Sequence, residues 1–295
     1  MPSLKEVRIR IESIKSTQQI TSAMKLVAAS KLRRTQNAVQ ALAPYASKLR
    51  EILGNLSASI DNTEEAVYTT VRPVQKVLLL VVTSNRGLCG PFNGNIIKAA
   101  KAHIEKNYGD INRNGHLDIM TIGKKGTDFF RKNKYNLVSD NHEIFDSLTF
   151  TNTTAMATAL MADFAAKKYD RIEIIYNHFK NAGQQVITID QYLPIIPVTT
   201  GKPADCKQKA DYLFEPEKKV LIRELLPKML KVQFYKIILD SFAAEHGARM
   251  TAMSQATENA SEILKQLKLS YNKARQSAIT KELLEIVSGA EALKG

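Results

Sequence analysis

The apolar positions at the start of the chain recur three and four residues apart in one frame. Leu4, Val7, Ile11 and Ile14 open it, and Ala28, Leu32, Val39, Leu42, Ala46, Leu49, Leu53 and Leu56 continue it. A seven-residue period of this kind draws a narrow stripe along one side of a helix. Little interrupts that helix, because residues 3–53 hold no glycine and a single proline, Pro44. The far end of the chain repeats the pattern. Met253, Thr257, Ala260, Leu264, Leu267, Tyr271, Ala274 and Ala278 keep the alternation, and residues 228–288 hold no proline and a single glycine, Gly247. At about 1.5 Å per residue, stretches of this length predict helices of roughly 75–90 Å. A stripe that narrow needs a partner, and each helix can supply the other's. The expected arrangement is an intramolecular antiparallel coiled coil, left-handed because of its seven-residue period. Pairing with a second copy is the competing solution.

The N-terminal frame has a break. Gln18, Thr21 and Lys25 stand where it calls for apolar residues, within the run from Ser16 to Lys25. Polar residues in a seam cost stability and fix register. The break is a register pin, a local loosening of the coil, or a stretch that faces another protein.

Between the helices the pattern changes to alternating elements. Residues 76–83 form a continuous apolar run, as in a strand buried on both faces, followed by a glycine-bearing turn and a helix to about Lys106. Residues 117–122 read as a second strand, Gly123 opens a helix to about Lys132, and residues 151–168 form an Ala- and Met-rich amphipathic helix. Residues 171–179 and 184–193 flank Asn181, Ala182 and Gly183 as a hairpin. The fold class expected is therefore an α/β domain inserted between two long terminal helices. Its domains are a discontinuous coiled coil, 1–58 and 217–295, an α/β domain at 75–198, and linkers at 59–74 and 199–216.

Composition narrows the class. The 295 residues are 44% hydrophobic and 24% charged, and no window approaches the roughly 18–20 uninterrupted apolar residues of a membrane span. The first ten residues are already amphipathic helix, unlike a secretory signal, and two cysteines, Cys89 and Cys206, give no disulfide framework, so a reduced cytosolic setting is expected. The net charge is +13. Much of it lies in residues 1–50, where Lys5, Arg8, Arg10, Lys15, Lys25, Lys31, Arg33, Arg34, Lys48 and Arg50 face only Glu6 and Glu12. Nucleic acid, anionic lipid and an acidic protein all suit such a surface, although no aromatic residue interleaves the first 44 positions as a nucleic-acid reader would require.

Chemistry is thinly signalled. The turn holding Gly87, Cys89 and Gly90 follows a strand and opens a helix, yet it matches neither GxGxxG nor a P-loop. Cys89 has no histidine near it in sequence, and His103, His116, His142, His178 and His246 form no pair at metal-ligand spacing. Glu282 and Glu285 lie one turn apart beside Lys281, as surface or partner-facing charge.

Three segments resemble the gamma-subunit family of rotary ATP synthases. Residues 10–31 are similar to that family's first helix, polar break included, and residues 245–260 to its second. Residues 271–292 fit its terminal signature, with Ile279, Thr280 and Glu282, an acid at Glu285, and Gly289 and Ala290. The turn also fits, with Asn93, although Asn85 stands where the family commonly has an aspartate. The resemblance implies a non-catalytic central shaft without cofactor or metal, coupling rotation of a membrane ring to conformational cycling of a catalytic hexamer. It implies the alpha and beta subunits, the epsilon subunit and the ring of c subunits as partners, at the cytoplasmic face of a bacterial membrane. It places Met24 and Lys25 near an acidic beta-subunit lever, and Arg249, Gln276, Thr280 and Glu282 in communication with that region. Arg275 and Gln276 would hydrogen-bond a catalytic-subunit loop. A non-rotary coiled-coil adaptor and an α/β nucleotide-binding enzyme with helical extensions are the alternatives.

Overall fold

The computed structural model describes residues 4–57, 67–195 and 218–292. Residues 59–66 of the first expected linker, all of the second, and Cys206 lie outside the described residues, as do the side chains of Leu53 and Leu56. The chain forms two compact units, Met1–Ala29 with Arg249–Gly295, and Ser30–Ala248.

The terminal helices are α1, Leu4–Ser57, and α6, Lys218–Ala292. Each carries one internal proline, Pro44 and Pro227. Pro44 and Gln40 both lie on the exposed side of α1, so the carbonyl that proline leaves without an amide faces water.

The second unit is built on five strands in the order β3-β2-β1-β4-β5. These are β1 Val77–Val82, β2 Leu117–Ile122, β3 Leu137–Asp140, β4 Arg171–Asn181 and β5 Gln184–Leu193. β1 pairs in parallel with β2 and β4, β2 in parallel with β3, and β4 with β5 as an antiparallel hairpin. Every side chain of β1 is buried, which is why its sequence runs apolar without alternation. Val77, Leu79 and Val81 face one core with Ile96, Ala100 and Ile104 of α2 (Phe92–Asn107) and Phe130 of α4 (Lys124–Lys132). Leu78, Leu80 and Val82 face the other, with Ala157, Leu160, Met161 and Phe164 of α5 (Phe150–Ala165). A short α3, Gly109–Arg113, follows α2.

Part of the second layer comes from α6. Its residues Leu230, Phe234, Ile237 and Ile238 complete the α5 face, and Tyr192 of β5 donates to the Leu230 carbonyl at 3.1 Å. Alongside, Leu42, Ala46 and Leu49 of α1 pack with Leu225, Leu226, Met229 and Val232 of α6. This stretch of α6 is apolar on several faces because it serves the sheet and α1 together.

One polar group sits under α2. Glu173 on β4 is buried, and its carboxylate accepts from the Tyr108 hydroxyl at 2.6 Å and lies 2.6 Å from His103 Nε2. Asn107 Nδ2 reaches His103 Nδ1 at 2.8 Å, and Arg171 is 3.8 Å from Glu173. Burial first, then the hydrogen bond to Glu173, pushes the Tyr108 hydroxyl up from 10.0 to about 12. Tyr108→Phe is expected to cost about 1.5–3 kcal/mol by removing a hydrogen bond to a buried charge, read by urea unfolding at neutral pH. The raised tyrosine adds stability below pH 10 that is lost as pH rises toward 12, because the unfolded chain releases that proton first. The variant should therefore lose less stability than the parent across that window.

Candidate functional site: the helical pair and its apolar end

All seven residues expected to matter lie in the unit formed by the first part of α1 and the outer part of α6. The expected seam is the side that loses exposure. Val7, Ala28, Met253 and Ala260 are buried, and Leu4, Ile11, Ile14, Leu264, Leu267, Tyr271, Ala274 and Ala278 are half-buried.

The polar break pairs across the seam. Thr21 donates to the Gln18 carbonyl at 3.0 Å and accepts from Thr257 at 2.8 Å. Lys25 Nζ donates to Ser254 Oγ at 3.0 Å, and that hydroxyl lies 3.3 Å from a Glu258 carboxylate oxygen. Successive α1 residues thus meet earlier α6 residues, which is antiparallel pairing, and a one-turn slip would strand a half-buried ammonium and a buried hydroxyl. The register-pin reading accounts for both side chains. Gln18, Gln19, Ser22, Ala23 and Leu26 line a depression beside Thr257, leaving the outer side of the same turns available.

Continuing that register assigns the remaining residues. Met24 is half-buried beside Lys25, and Arg249 is buried across from about Ala29, one turn further along. By this register Met24, Lys25 and Arg249 fall within about two turns of one another along the pair. Arg275, Gln276, Thr280 and Glu282 are exposed and lie roughly 39–50 Å along α6 from Arg249 at 1.5 Å per residue. Within this group Thr280 donates to the Gln276 carbonyl at 2.9 Å, and Lys281 pairs with Glu285 at 3.8 Å.

What sequence reading missed is how α6 ends. The register runs out of α1 near Ala274, and beyond it Ile279, Leu283, Leu284, Ile286 and Val287 are 49–67% exposed. Five large apolar residues over nine positions are more than the single scattered exposures of an ordinary surface. The available signal was arithmetic: with Thr21 opposite Thr257, α6 extends several turns past the start of α1.

The turn after β1 braces the neighbouring junction between β2 and α4. Lys124 N donates to Asn85 Oδ1, Lys125 N to the Ser84 carbonyl and Gly126 N to Thr83 Oγ1, so residues of this turn satisfy the first amides of α4, while Phe92 N at the start of α2 donates to the Cys89 carbonyl at 3.4 Å. Gly123 is at φ 104°, where an added Cβ would lie 2.2 Å from the Thr83 carbonyl oxygen. Asn85 also donates to the His142 carbonyl at 2.8 Å, which an ionised aspartate in its place could not do. Cys89 is buried with Phe92, Phe179, Ala244 and Ala248 and takes a 3.2 Å contact from Asn93 Nδ2. This packing closes the crevice at the β1–β4 switch in strand order, where open α/β sheets usually bind ligands. Among the described residues no group of three histidine, cysteine or acidic side chains could hold a metal ion.

An ATP synthase family model matches residues 3–293. The ATP synthase gamma chain of Flavobacterium psychrophilum is 51% identical over 295 residues, covering 100% of both chains. The chain belongs to the ATP synthase gamma family. The gamma chain of Cytophaga hutchinsonii is 50% identical over 293 residues, 99% of each. Among solved structures, the central stalk and c-ring of Tetrahymena thermophila mitochondrial ATP synthase contains a chain that is 25% identical, with TM-score 0.55, covering 80% of this chain and 99% of that one. The rotor of Euglena gracilis mitochondrial ATP synthase contains one at 21% identity and TM-score 0.63, covering 94% and 98%. The last likeness is one of fold: long terminal helices flanking a mixed sheet.

Because the hydroxyls of Thr21 and Thr257 meet across the seam and otherwise bond only carbonyls of their own helices, Thr21→Val alone is expected to cost about 1 kcal/mol, while Thr21→Val with Thr257→Val should recover most of it. Thermal unfolding of the two single variants and the double variant measures this.

Proposed function

We propose that this gamma-family chain is the central shaft of a bacterial rotary ATP synthase, coupling rotation of a membrane ring to conformational cycling of a catalytic hexamer of alpha and beta subunits. It is a non-catalytic stalk subunit. The observation that carries the reading is the end of α6, where exposed apolar side chains outrun the α1 partner and need an enclosing surface. A hexamer lumen is such a surface. In this reading residues 1–58 and 217–295 are the shaft and residues 75–198 the foot, which meets the c ring and the epsilon subunit. No helix of the described residues is long and apolar enough to cross a membrane. In this reading the chain is a peripheral member of the membrane-bound complex, on the cytoplasmic face.

The mechanism is conformational bias. A two-helix shaft cannot touch three beta subunits in the same way, so each angle favours a different state at each site. Moving a site from 1:99 to 99:1 takes about 5.5 kcal/mol of differential interaction. Those contacts must also break at every step. Exposed Lys5, Arg8, Arg10 and Lys15 supply long-range attraction to acidic loops, which tolerates sliding better than interlocked packing. Arg275 and Gln276 are exposed and suited to hydrogen-bond a catalytic-subunit loop, with Thr280 and Glu282 one to two turns on.

By the register, Met24 and Lys25 lie within about two turns of the buried Arg249. A second cation at Met24 would add repulsion where Lys25 is already spent on Ser254. Met24→Lys is expected to leave ATP hydrolysis within a few-fold of the parent while lowering ATP-driven ion pumping per ATP hydrolysed; unchanged pumping would contradict the assigned role. The broader test reassembles purified alpha and beta subunits with and without this chain. Stable, robust ATP hydrolysis only with the chain supports the shaft, and indifference to it leaves an adaptor.

A further inference from the structure

Torque can pass between the α/β domain and α6 only where the two are locked together; the domain packs on α6 from Leu230 onward, and at the end of that stretch the helix is enclosed over its longest buried run. Residues 243–248 of α6 are all buried, and six consecutive residues cover more than a full turn. On one side, Ala244 and Ala248 pack against Cys89, Phe92 and Phe179. Gly247 lies against the hairpin between β4 and β5, where a Cβ would meet Phe179 Cε2 at 3.1 Å and Ala182 Cα at 3.3 Å. Asp240, on the same side, accepts from His178 Nδ1 at 3.0 Å. On the opposite side, roughly 160° round from Ala244 at 100° per residue, Phe242 stacks on Phe145 with ring centroids 5.6 Å apart.

We infer that residues 240–248 of α6 are the grip through which the α/β domain turns the shaft, with the β4–β5 hairpin and the Cys89 turn as one jaw and Phe145 as the other. The inference rests on the rotary reading above. Opposed contacts resist rotation of a helix about its own axis, whereas contacts on one side let it roll. Small residues are the means. Ala244, Gly247 and Ala248 bring the helix backbone close to its neighbours, so force is borne over short, stiff distances rather than through long side chains with rotamer freedom. Gly247 is the one break in an otherwise glycine-free run of 61 residues, and its place against Ala182 gives that break a purpose. Since α6 continues unbroken to Ala292, torsion applied at the grip passes along the same helix.

The test uses the complete ATP synthase in sealed vesicles, reading ATP hydrolysis and ATP-driven ion pumping separately. Gly247→Leu pushes the hairpin away from the helix. Hydrolysis within about twofold of the parent, with pumping per ATP reduced several-fold, is the expected result; unchanged pumping per ATP overturns the grip. A second variant, Ala182→Cys with Gly247→Cys, places two thiols within disulfide reach. Oxidation should leave pumping per ATP at or above its reduced level, since gripped surfaces do not move past each other, and a fall on oxidation overturns the inference even if Gly247→Leu fails to assemble. Hydrolysis that is indifferent to the whole chain would instead remove the rotary reading itself.

Discussion

The register between α1 and α6 decides what the rest of this molecule can do. A helix with one narrow apolar stripe must be paired, and pairing fixes which residues are left over. Thr21 on Thr257 and Lys25 on Ser254 set the alignment, and each slip of a turn would bury a hydroxyl or an ammonium without its partner. From that alignment it follows that α6 outruns α1, that its last turns expose Ile279, Leu283, Leu284, Ile286 and Val287, and that Arg249 falls opposite about Ala29. The polar break that looks like a defect in the heptad is thus what makes the helix ends predictable.

The long helices, the doubly buried first strand and the hairpin were legible because each carries an unambiguous period over enough residues. The strand at residues 117–122 was read to the residue, and the hairpin strands within two. β3 escaped because four residues alternating at a sheet edge carry too little pattern to separate from a loop. The first part of α6 was harder for another reason. Its residues from Leu226 to Ile238 satisfy α1 and the sheet at once, and an apolar run facing two partners shows no single stripe. Of the candidate site, Thr257 was visible in the seam, but Ser254 and the apolar end become meaningful only once the register is known. The likeness to the gamma family named Met24, Lys25, Arg249 and the terminal group; periodicity alone would have left them as ordinary coil positions.

The α/β domain shows how a fold associated with nucleotide binding is turned to mechanical use. Its strand order creates a switch point, and the turn after β1 has the glycines of a binding loop. Here that turn instead braces the next junction, Thr83, Ser84 and Asn85 accepting from the first amides of α4, and the crevice is filled by Cys89, Phe92, Phe179 and two alanines of α6. The position that holds a ligand elsewhere holds a helix. A rigid sheet with a helix seated at its crevice is well suited to receive force at one surface and deliver it along α6.

The most direct measurement is rotation itself. The alpha–beta hexamer would be fixed to a surface, with a bead attached through a cysteine at the exposed Lys132 position of α4, Cys206 being replaced by serine. With ATP supplied, the account requires the bead to turn in one direction, pausing at three equally spaced angles. ATP hydrolysis that depends on this chain while the bead only diffuses or stands still would contradict it.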